Sequence, residues 1–266
     1  MCILSFLPPG VAVDEDGLLN GGINNPDGHG WAIVTGGTIV TGKSLDVVEA
    51  LEGFTAARNQ HSEGPALFHS RWATHGRVNL DNAHPFAVGG SARTVVAHNG
   101  ILPDAAHPDK GDDRSDTRKF ADEILPTRFR RLDRNGVQRA LSQWCGKFNK
   151  LVILTVDTRY RENAYLVNEE AGEWDVSTGI WHSNTDYRDT RGRWSHGTAA
   201  YTSETALWDN PSLWGEDCLM CGWEAVDERG YCEVCGFCQD CADHVRDCSC
   251  WQRRAVALDQ WDRVLE

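Results

Sequence analysis

Short apolar runs separated by glycine, proline and asparagine recur along this chain and predict β-strands. One run opens the sequence, and two others form a hairpin that turns at Gly36 and Gly37. Three more runs follow residue 150, and the last of them alternates apolar and polar side chains. The predicted strands are Cys2–Leu7, Trp31–Thr35, Thr38–Val40, Leu151–Val156, Ala164–Val167 and Trp174–Trp181, with Ala200–Glu204 expected to be the final one.

Apolar residues at helical spacing occupy the regions between these strands. Ser44 is predicted to cap a helix that ends near Arg58. The residues expected on its buried face are Leu45, Val48, Leu51 and Phe54. A second helix is predicted to begin at Ser115-Asp116-Thr117, and a third to cover about Val137–Trp144. Strands, then helices, then strands again predict an α+β fold with two sheets and two helical layers.

Two polar signatures stand where apolar runs end. The first is Arg71-Trp72-Ala73-Thr74-His75-Gly76, which follows the run that starts at Ala66. The second is His98-Asn99-Gly100, which follows a β-branched run. We expect the two runs to be neighbouring strands that present these polar side chains together, because functional residues concentrate where rigid elements end in loops.

Charge and length exclude several classes of function. The chain has 266 residues and a formal net charge of −13, which repels phosphate backbones, so general nucleic-acid binding is not expected. No apolar run approaches the ~20 residues that span a bilayer, and the first residues lack the basic segment of a secretory signal. We therefore expect a soluble, cytoplasmic protein with no membrane association.

Ten cysteines are unevenly placed, since Cys2 and Cys145 stand alone and the other eight lie between Cys218 and Cys250. Repeated Cys-x2-Cys pairs in an intracellular chain indicate zinc, because each pair supplies two thiolates to one tetrahedral ion. The order of pairs resembles cross-brace modules, in which the first and third pairs share one ion and the second and fourth share another. The first set is Cys218, Cys221, Cys238 and Cys241, and the second is Cys232, Cys235, Cys248 and Cys250, with His244 as an alternative ligand.

Other interpretations of this cysteine-rich module stay open. A single zinc ribbon would use only the first four of its cysteines, and a disulfide framework would need no metal, although cytosolic thiols stay reduced. Closed thiolate sites leave no position for substrate, so the expected cofactor is structural zinc, two ions in the cross-brace case. We predict the module over residues 215–250 and an amphipathic helix over residues 251–266.

Four features of the sequence together resemble one enzyme family. They are Cys2, the hexapeptide Arg71-Trp72-Ala73-Thr74-His75-Gly76, the tripeptide Ala83-His84-Pro85 and the tripeptide His98-Asn99-Gly100. In order and spacing they resemble the glutaminase domain of the class II glutamine amidotransferases, which are N-terminal nucleophile hydrolases. The resemblance covers about residues 2–206 and implies a four-layer αββα sandwich, for which we predict a domain over residues 2–210. The turn Asn25-Pro26-Asp27-Gly28 resembles that of stand-alone members.

Cys2 would carry both a thiol and a free α-amine once Met1 is removed, and such a pair can act as nucleophile and base near neutral pH. The other interpretation of Cys2 is a small apolar residue in a buried strand. By resemblance, Asn99 and Gly100 form the oxyanion hole, although Asn-Gly is also typical of a hairpin turn.

Glutamine has a carboxylate and an ammonium at one end, so its site needs a cation and an anion. By resemblance, Arg71 and Asp116 bind these two groups, and Trp72, Thr74 and His75 shape the pocket. A surface ion pair and a helix-start residue are the simpler interpretations of Arg71 and Asp116. For His84, a structural role and a proton-carrying role are both open.

These features predict a glutamine amidohydrolase that releases ammonia from L-glutamine for a separate synthase or ligase. One alternative is a hydrolase of other γ-glutamyl amides or peptides. Another is an inactive scaffold that binds through its zinc module.

Overall fold

A computed structural model describes residues 2–73 and 77–188 of the chain. All of them fall in the first of the two units into which the chain divides, Met1–Thr198. Their strands form two sheets, and every pairing in both sheets is antiparallel. The strands are β1 Ile3–Leu7, β2 His29–Thr35, β3 Thr38–Ser44, β4 Ala66–Ser70, β5 Phe86–Val88, β6 Ser91–Asn99, β7 Lys150–Thr155, β8 Ala164–Val167, β9 Glu173–Trp174 and β10 Trp181–His182.

The first sheet has six strands in the order β3-β2-β4-β1-β10-β9, and the second has four in the order β5-β6-β7-β8. Alternate side chains of the central strands point to opposite faces, as the pleat of a strand requires. In β1, for example, Leu4 and Phe6 pack in a cluster shared by both sheets, whereas Leu7 packs in a cluster shared with helices. The two sheets therefore face each other across an apolar core.

Helices cover the outer face of each sheet. The helices are α1 Glu15–Asn24, α2 Val47–Gln60, α3 Asp116–Lys119, α4 Leu125–Arg128 and α5 Asn135–Cys145. Residues of α1 and α2 pack on the first sheet around Phe54, and residues of α4, α5 and the segment Phe120–Ile124 pack on the second around Phe120. The described residues thus form helix, sheet, sheet and helix layers, which agrees with the predicted α+β sandwich.

The second helical layer contains a local irregularity. Between α3 and α4, Phe120–Ile124 forms a single π-helical stretch, so helical structure continues from Asp116 to Arg128. Ser115 caps α3 as predicted, because its side chain accepts the N–H of Arg118.

Several predictions about the first half of the chain are wrong. Ser44 ends strand β3 and does not cap α2; Asp46 is the cap, and its carboxylate accepts the N–H groups of Val48 and Glu49. Val48 is 51% exposed, and Leu45 precedes the helix and is 48% exposed, so of the four residues expected on the buried face of this helix only Leu51 and Phe54 are buried. Helix α1 was not predicted, because its glycine-rich sequence has weak helical patterning.

Two predictions about strands also need correction. The strands that carry the two signatures are not neighbours, because β4 lies in the first sheet and β6 in the second. Face-to-face packing of the sheets, rather than strand pairing, brings the signatures together. The segment from Trp174 to Trp181 is not one strand; β9 and β10 pair with each other across a turn that holds Gly179 at a φ of +75°.

The predicted strand Ala200–Glu204, zinc module and C-terminal helix lie outside the described residues. Within the described ranges, none of the helices has the length and apolar character that crossing a bilayer requires. No cluster of three or more His, Cys, Asp or Glu side chains in that same part of the chain is arranged to hold a metal ion.

Candidate active site

Cys2 directly precedes strand β1 and lies against the loop that follows strand β4. Its sulfur accepts the N–H of Trp72 at 3.4 Å and lies 3.5 Å from the carbonyl oxygen of that residue. The carbonyl of Cys2 accepts a hydrogen bond from Asn184 Nδ2 at 3.0 Å. The contacts with Trp72 and Asn184 therefore hold Cys2 beside the segment that begins at Arg71.

The turn before strand β2 fixes this loop. Asp27 N–H donates to the carbonyl of Arg71 at 2.9 Å, and Arg71 N–H donates to the carbonyl of Gly28 at 2.8 Å. The Asp27 carboxylate also accepts the N–H of Ala73 at 2.7 Å. Gly28 adopts a φ of +133°, which favours glycine. The predicted turn chemistry of Asn25-Pro26-Asp27-Gly28 thus serves to hold the Arg71 loop.

Arg71 is almost fully buried, with 3% of its surface exposed. Its Nη1 donates to the carbonyl of Arg77 at 2.9 Å. Burial lowers the pKa of the Arg71 guanidinium, while the nearby Cys2, Asp27 and Asp116 oppose that shift. The buried cation is therefore compensated partly by groups of the same pocket, and it is not a surface ion pair.

Asp116 is the first residue of α3 and is also buried. Its Oδ2 accepts the N–H of Leu102 at 2.9 Å, and its Oδ1 accepts the N–H of Thr117 at 2.7 Å. These two bonds fix the plane of the carboxylate, although it has no arginine or lysine partner within hydrogen-bond distance among the described residues. Asp116 is thus both a helix-start residue and a buried anion beside Arg71.

Gly100 follows strand β6 with a φ of +136°, and the Asn-Gly pair is not a hairpin turn. The amide nitrogen of Asn99 donates to Ser183 Oγ at 2.8 Å, and Asn99 Oδ1 has no partner among the described residues. Ser183 is fixed in turn, because its Oγ accepts the N–H of Leu4 and its N–H donates to the carbonyl of Leu4. Ser183, which is bonded to Leu4 of β1, therefore orients the side chain of Asn99 at the end of β6.

One pocket joins most of the predicted site residues. The space between its lining residues is about 270 Å³ and is open to solvent. The residues that line it are Cys2, Arg71, Trp72, His84, His98, Gly100, Ser115, Asp116 and Thr117. Asn99 is not among them, and Thr74 and His75 lie outside the described residues. The pocket holds a thiol, a cation and an anion within the space of a small molecule.

Burial dominates the electrostatics of this pocket. It raises the pKa of the Cys2 thiol above its ordinary value, although the hydrogen bond from Trp72 and the charge of Arg71 act in the opposite direction. The thiol is therefore protonated at neutral pH in this environment. An attack by its sulfur requires a base that takes the proton.

His84 of the pocket lining and the neighbouring His69 are neutral for the same reason. Burial lowers the pKa of His84 well below 6.5 and that of His69 to about 3. The two rings lie against each other with centroids 3.9 Å apart, and neither nitrogen of His84 has a hydrogen-bond partner among the described residues. These properties favour the structural role of His84 over a proton-carrying role.

Sequence reasoning missed three residues that support the site, namely Thr117, Asn149 and Ser183. Thr117 belongs to the motif Ser115-Asp116-Thr117, in which the sequence predicts a binding role for Asp116 alone; its Oγ1 lies 2.9 Å from His98 Nδ1. Asn149 contacts the other nitrogen of His98. Neither Asn149 nor Ser183 has a local sequence signal, because each reaches the site through strand pairing and packing over long sequence separations.

Part of the chain is similar in sequence to known aminotransferases. The chain is 36% identical over 80 residues to glutamine–fructose-6-phosphate aminotransferase (isomerizing) of Caulobacter vibrioides, a match that covers 30% of the chain and 12% of the relative. It is 40% identical over 88 residues to the enzyme of the same name from Neisseria meningitidis, covering 33% of the chain and 14% of the relative. The matched region is thus a small part of these longer relatives. No protein-family model matches the chain.

Solved structures give a more distant likeness. The glutamine phosphoribosylpyrophosphate amidotransferase of B. subtilis has a TM-score of 0.43 at 16% identity, covering 69% of this chain and 42% of that one. A glutamine aminotransferase class-II domain protein of Silicibacter pomeroyi has a TM-score of 0.35 at 15% identity, covering 68% and 87%. The sequence matches, which cover about a third of the chain, support a glutamine amidotransferase-like domain.

Proposed function

We propose that this protein hydrolyses the side-chain amide of L-glutamine with Cys2 as an N-terminal nucleophile. The observation that carries the proposal is the pocket itself, in which the sulfur of Cys2 shares a small volume with buried Arg71 and buried Asp116. A cation and an anion on one side of a thiol match the carboxylate, ammonium and amide of a single amino acid.

The reaction begins with removal of Met1, which leaves a free α-amine on Cys2. Because burial raises the pKa of the thiol, the α-amine takes the thiol proton as the sulfur attacks the amide carbon. A carbon–sulfur bond forms, and the carbonyl π electrons move onto oxygen. The tetrahedral intermediate then collapses, the carbon–nitrogen bond breaks, and the protonated α-amine gives its proton to the departing ammonia.

A γ-glutamyl thioester remains on Cys2 after ammonia has left. Water attacks its carbonyl carbon with the α-amine again acting as base, and a second tetrahedral intermediate forms. Its collapse breaks the carbon–sulfur bond, so glutamate is released and the thiol is restored. Each cycle consumes one glutamine and one water and needs no metal or oxidant.

The oxyanion in both intermediates requires two hydrogen-bond donors at one position. The backbone N–H of Gly100 is the first, since Gly100 lines the pocket and carries no side chain. The Asn99 amide nitrogen has two hydrogens, of which Ser183 Oγ accepts one, and the second is the other donor. Loss of one such donor typically costs ~2.7–4 kcal/mol of transition-state stabilisation.

Arg71 and Asp116 bind the amino-acid end of the substrate in this proposal. Arg71 binds the α-carboxylate, and Asp116 accepts the α-ammonium with the oxygen lone pairs that its two backbone partners leave. Trp72, 43% exposed, forms one wall of the pocket. The family resemblance assigns Thr74 and His75 to the same pocket. These roles make recognition of the zwitterion the basis of substrate choice.

The ammonia is released for a synthase or ligase carried by another chain. The eight cysteines between Cys218 and Cys250 bind structural zinc. Both statements are inferred from the sequence. A hydrolase of other γ-glutamyl amides is the alternative that shares the same nucleophile.

The proposal is tested by measuring glutamate and ammonia release from glutamine, asparagine and γ-glutamyl peptides with the purified full-length chain. Preferred hydrolysis of glutamine is expected. Preferred cleavage of γ-glutamyl peptides would replace the proposal with the alternative. A protein that retains Met1 and cleaves none of these substrates would favour an inactive scaffold.

A further inference from the structure

Asn149 lies behind the predicted oxyanion site, just before strand β7, and contacts three different parts of the fold. Its Nδ2 donates to the carbonyl of Cys145 at the end of α5, and its Oδ1 lies 2.8 Å from Nε2 of His98. The same oxygen covers Gly100, since a Cβ added there would lie 2.3 Å from it. Asn149 is 8% exposed, so it fixes the Gly100 backbone and the His98 ring from inside the protein.

These contacts determine the tautomer of His98. The carbonyl of Cys145 can only accept, so the Asn149 nitrogen must face it and the Asn149 oxygen must face His98. Nε2 of His98 therefore carries the hydrogen, and Nδ1 of the neutral ring has a lone pair. The hydroxyl of Thr117, 2.9 Å away, donates its single hydrogen to that lone pair.

Thr117 also connects His98 to Asp116. Its Oγ1 lies 3.2 Å from Oδ1 of Asp116, but while His98 is neutral no hydrogen is left for that contact. Protonation of His98 reverses the arrangement: Nδ1–H donates to Thr117 Oγ1, and the hydroxyl hydrogen turns to Asp116. The hydroxyl then occupies a lone pair of the carboxylate that an incoming ammonium group needs.

We propose that Asn149 is a positioning residue which selects the His98 tautomer and, through Thr117, keeps the Asp116 carboxylate available for the α-ammonium of glutamine. The inference rests on the proposed function, because it takes glutamine as the molecule that Asp116 binds. It predicts that glutamine affinity falls at acid pH as His98 gains a proton, through a change in a hydrogen bond and not through unfolding.

Several charged or titratable groups face His98 from the elements packed around it. There are four such groups among the described residues: Asp116 on α3, Lys150 on β7, His69 on β4 and His84 before β5. Burial lowers the pKa of His98 below its ordinary value of 6.5, against the opposing effects of Asp116 and the hydrogen bond to Asn149. His98 is thus neutral at pH 7, and the loss of affinity follows as the pH falls to its lowered pKa.

The test is calorimetric titration of glutamine into the full-length Cys2→Ala variant, which cannot turn the substrate over, between about pH 5 and 8. The dissociation constant of this parent is expected to rise at acid pH. Asn149→Asp places a carboxylate against Nε2–H, which raises the pKa of His98 and moves the rise about one pH unit or more upward. Thr117→Val keeps the side-chain shape without the hydroxyl, so its dissociation constant is expected to show no acid rise.

Asn163→Asp is the matched control. Asn163 directly precedes β8, and its Nδ2 donates to the carbonyl of Thr155 at the end of β7 away from Asn149. It is expected to reproduce the parent profile. An unshifted profile in a folded Asn149→Asp variant, or a parent-like acid rise in Thr117→Val, overturns the inference. Thermal unfolding shows whether the Asn149→Asp variant is folded. If it is not, the pH profile of Thr117→Val alone decides the test. Absence of glutamine binding at every pH, with no hydrolysis by the wild type, would refute the proposed function instead.

Discussion

The sulfur of Cys2 rests against the backbone of Trp72, 3.4 Å from its nitrogen and 3.5 Å from its carbonyl oxygen. This contact joins the beginning of strand β1 to the loop that also carries Arg71. The position of the sulfur and the position of the buried cation are therefore set by one short segment, and changes to either should affect the other.

Arg71→Lys tests the role of the guanidinium. Lysine keeps the charge but loses the planar fork that grips a carboxylate with two hydrogen bonds. We expect the KM for glutamine to rise by roughly 10- to 100-fold, equivalent to about 1.5–3 kcal/mol, with a smaller change in kcat. Steady-state kinetics measure both constants. Arg159→Lys is the control, because the Arg159 side chain is 70% exposed and its ion pair with Asp157 lies outside the pocket.

The Cys2 thiol should react slowly with iodoacetamide at neutral pH. Only the thiolate reacts, and burial raises the pKa of this thiol in the folded protein, so the fraction of thiolate at pH 7 is smaller than for a free cysteine. Mass spectrometry of Cys2 alkylation at a series of pH values measures this fraction. Faster alkylation in the folded state than in urea would show that the thiol pKa is lowered, contrary to the expectation.

Buried histidines should make the fold less stable in acid. His69 has a folded pKa of about 3, whereas an unfolded histidine titrates near ~6.5, so the unfolded state binds a proton first as pH falls. The stability present above pH 6.5 is therefore lost between pH 6.5 and 3, at up to about 1.4 kcal/mol per pH unit for each such residue.

The free energy of unfolding should depend less on pH in His69→Phe than in the wild type, because the variant has one titrating histidine fewer. Urea unfolding at pH 6.5 and pH 5 measures this difference. Phe54→Leu is the matched control, because it also disturbs a fully buried ring but removes no titrating group. An identical pH slope in His69→Phe and in the wild type would contradict the neutral, buried state of His69.

The cysteine-rich part of the chain should bind zinc. Elemental analysis of the purified protein is expected to find two ions per chain for the cross-brace arrangement and one for a single ribbon. Cys218→Ser is expected to lower the content, whereas Cys145→Ser should not, because Cys145 is buried at the end of α5 and belongs to neither proposed set. A metal-free protein with disulfides between Cys218 and Cys250 would contradict the prediction.

Much of the fold could be read from local pattern. The hairpin at Gly36 and Gly37, the cap at Ser115 and the buried runs at β1 and β7 all depend on residues close in sequence, and the structure has them as predicted. The predicted cap of α2 was wrong because Ser44 and Asp46 are both favourable capping residues. Strand β3 extends through Ser44, so Asp46 is the residue left to cap the helix.

The arrangement of the two signatures could not be read in this way. Arg71 and Gly100 each follow a strand, and local pattern is equally consistent with two paired strands and with two strands in facing sheets. The buried cluster that contains Leu67 of β4 and Ala97 of β6 shows the second arrangement. The partners of Asn99 and His98, namely Ser183 and Asn149, depend on that packing and have no local signal.

Two readouts on the same full-length protein decide whether Cys2 is the N-terminal nucleophile. Mass spectrometry determines whether Cys2 is the first residue, and a glutaminase assay compares the wild type with Cys2→Ala and with Cys145→Ala as the control cysteine variant. We expect a processed N-terminus, glutamine hydrolysis by the wild type and by Cys145→Ala, and none by Cys2→Ala. Retained Met1 with full activity, or equal activity in Cys2→Ala, would contradict it.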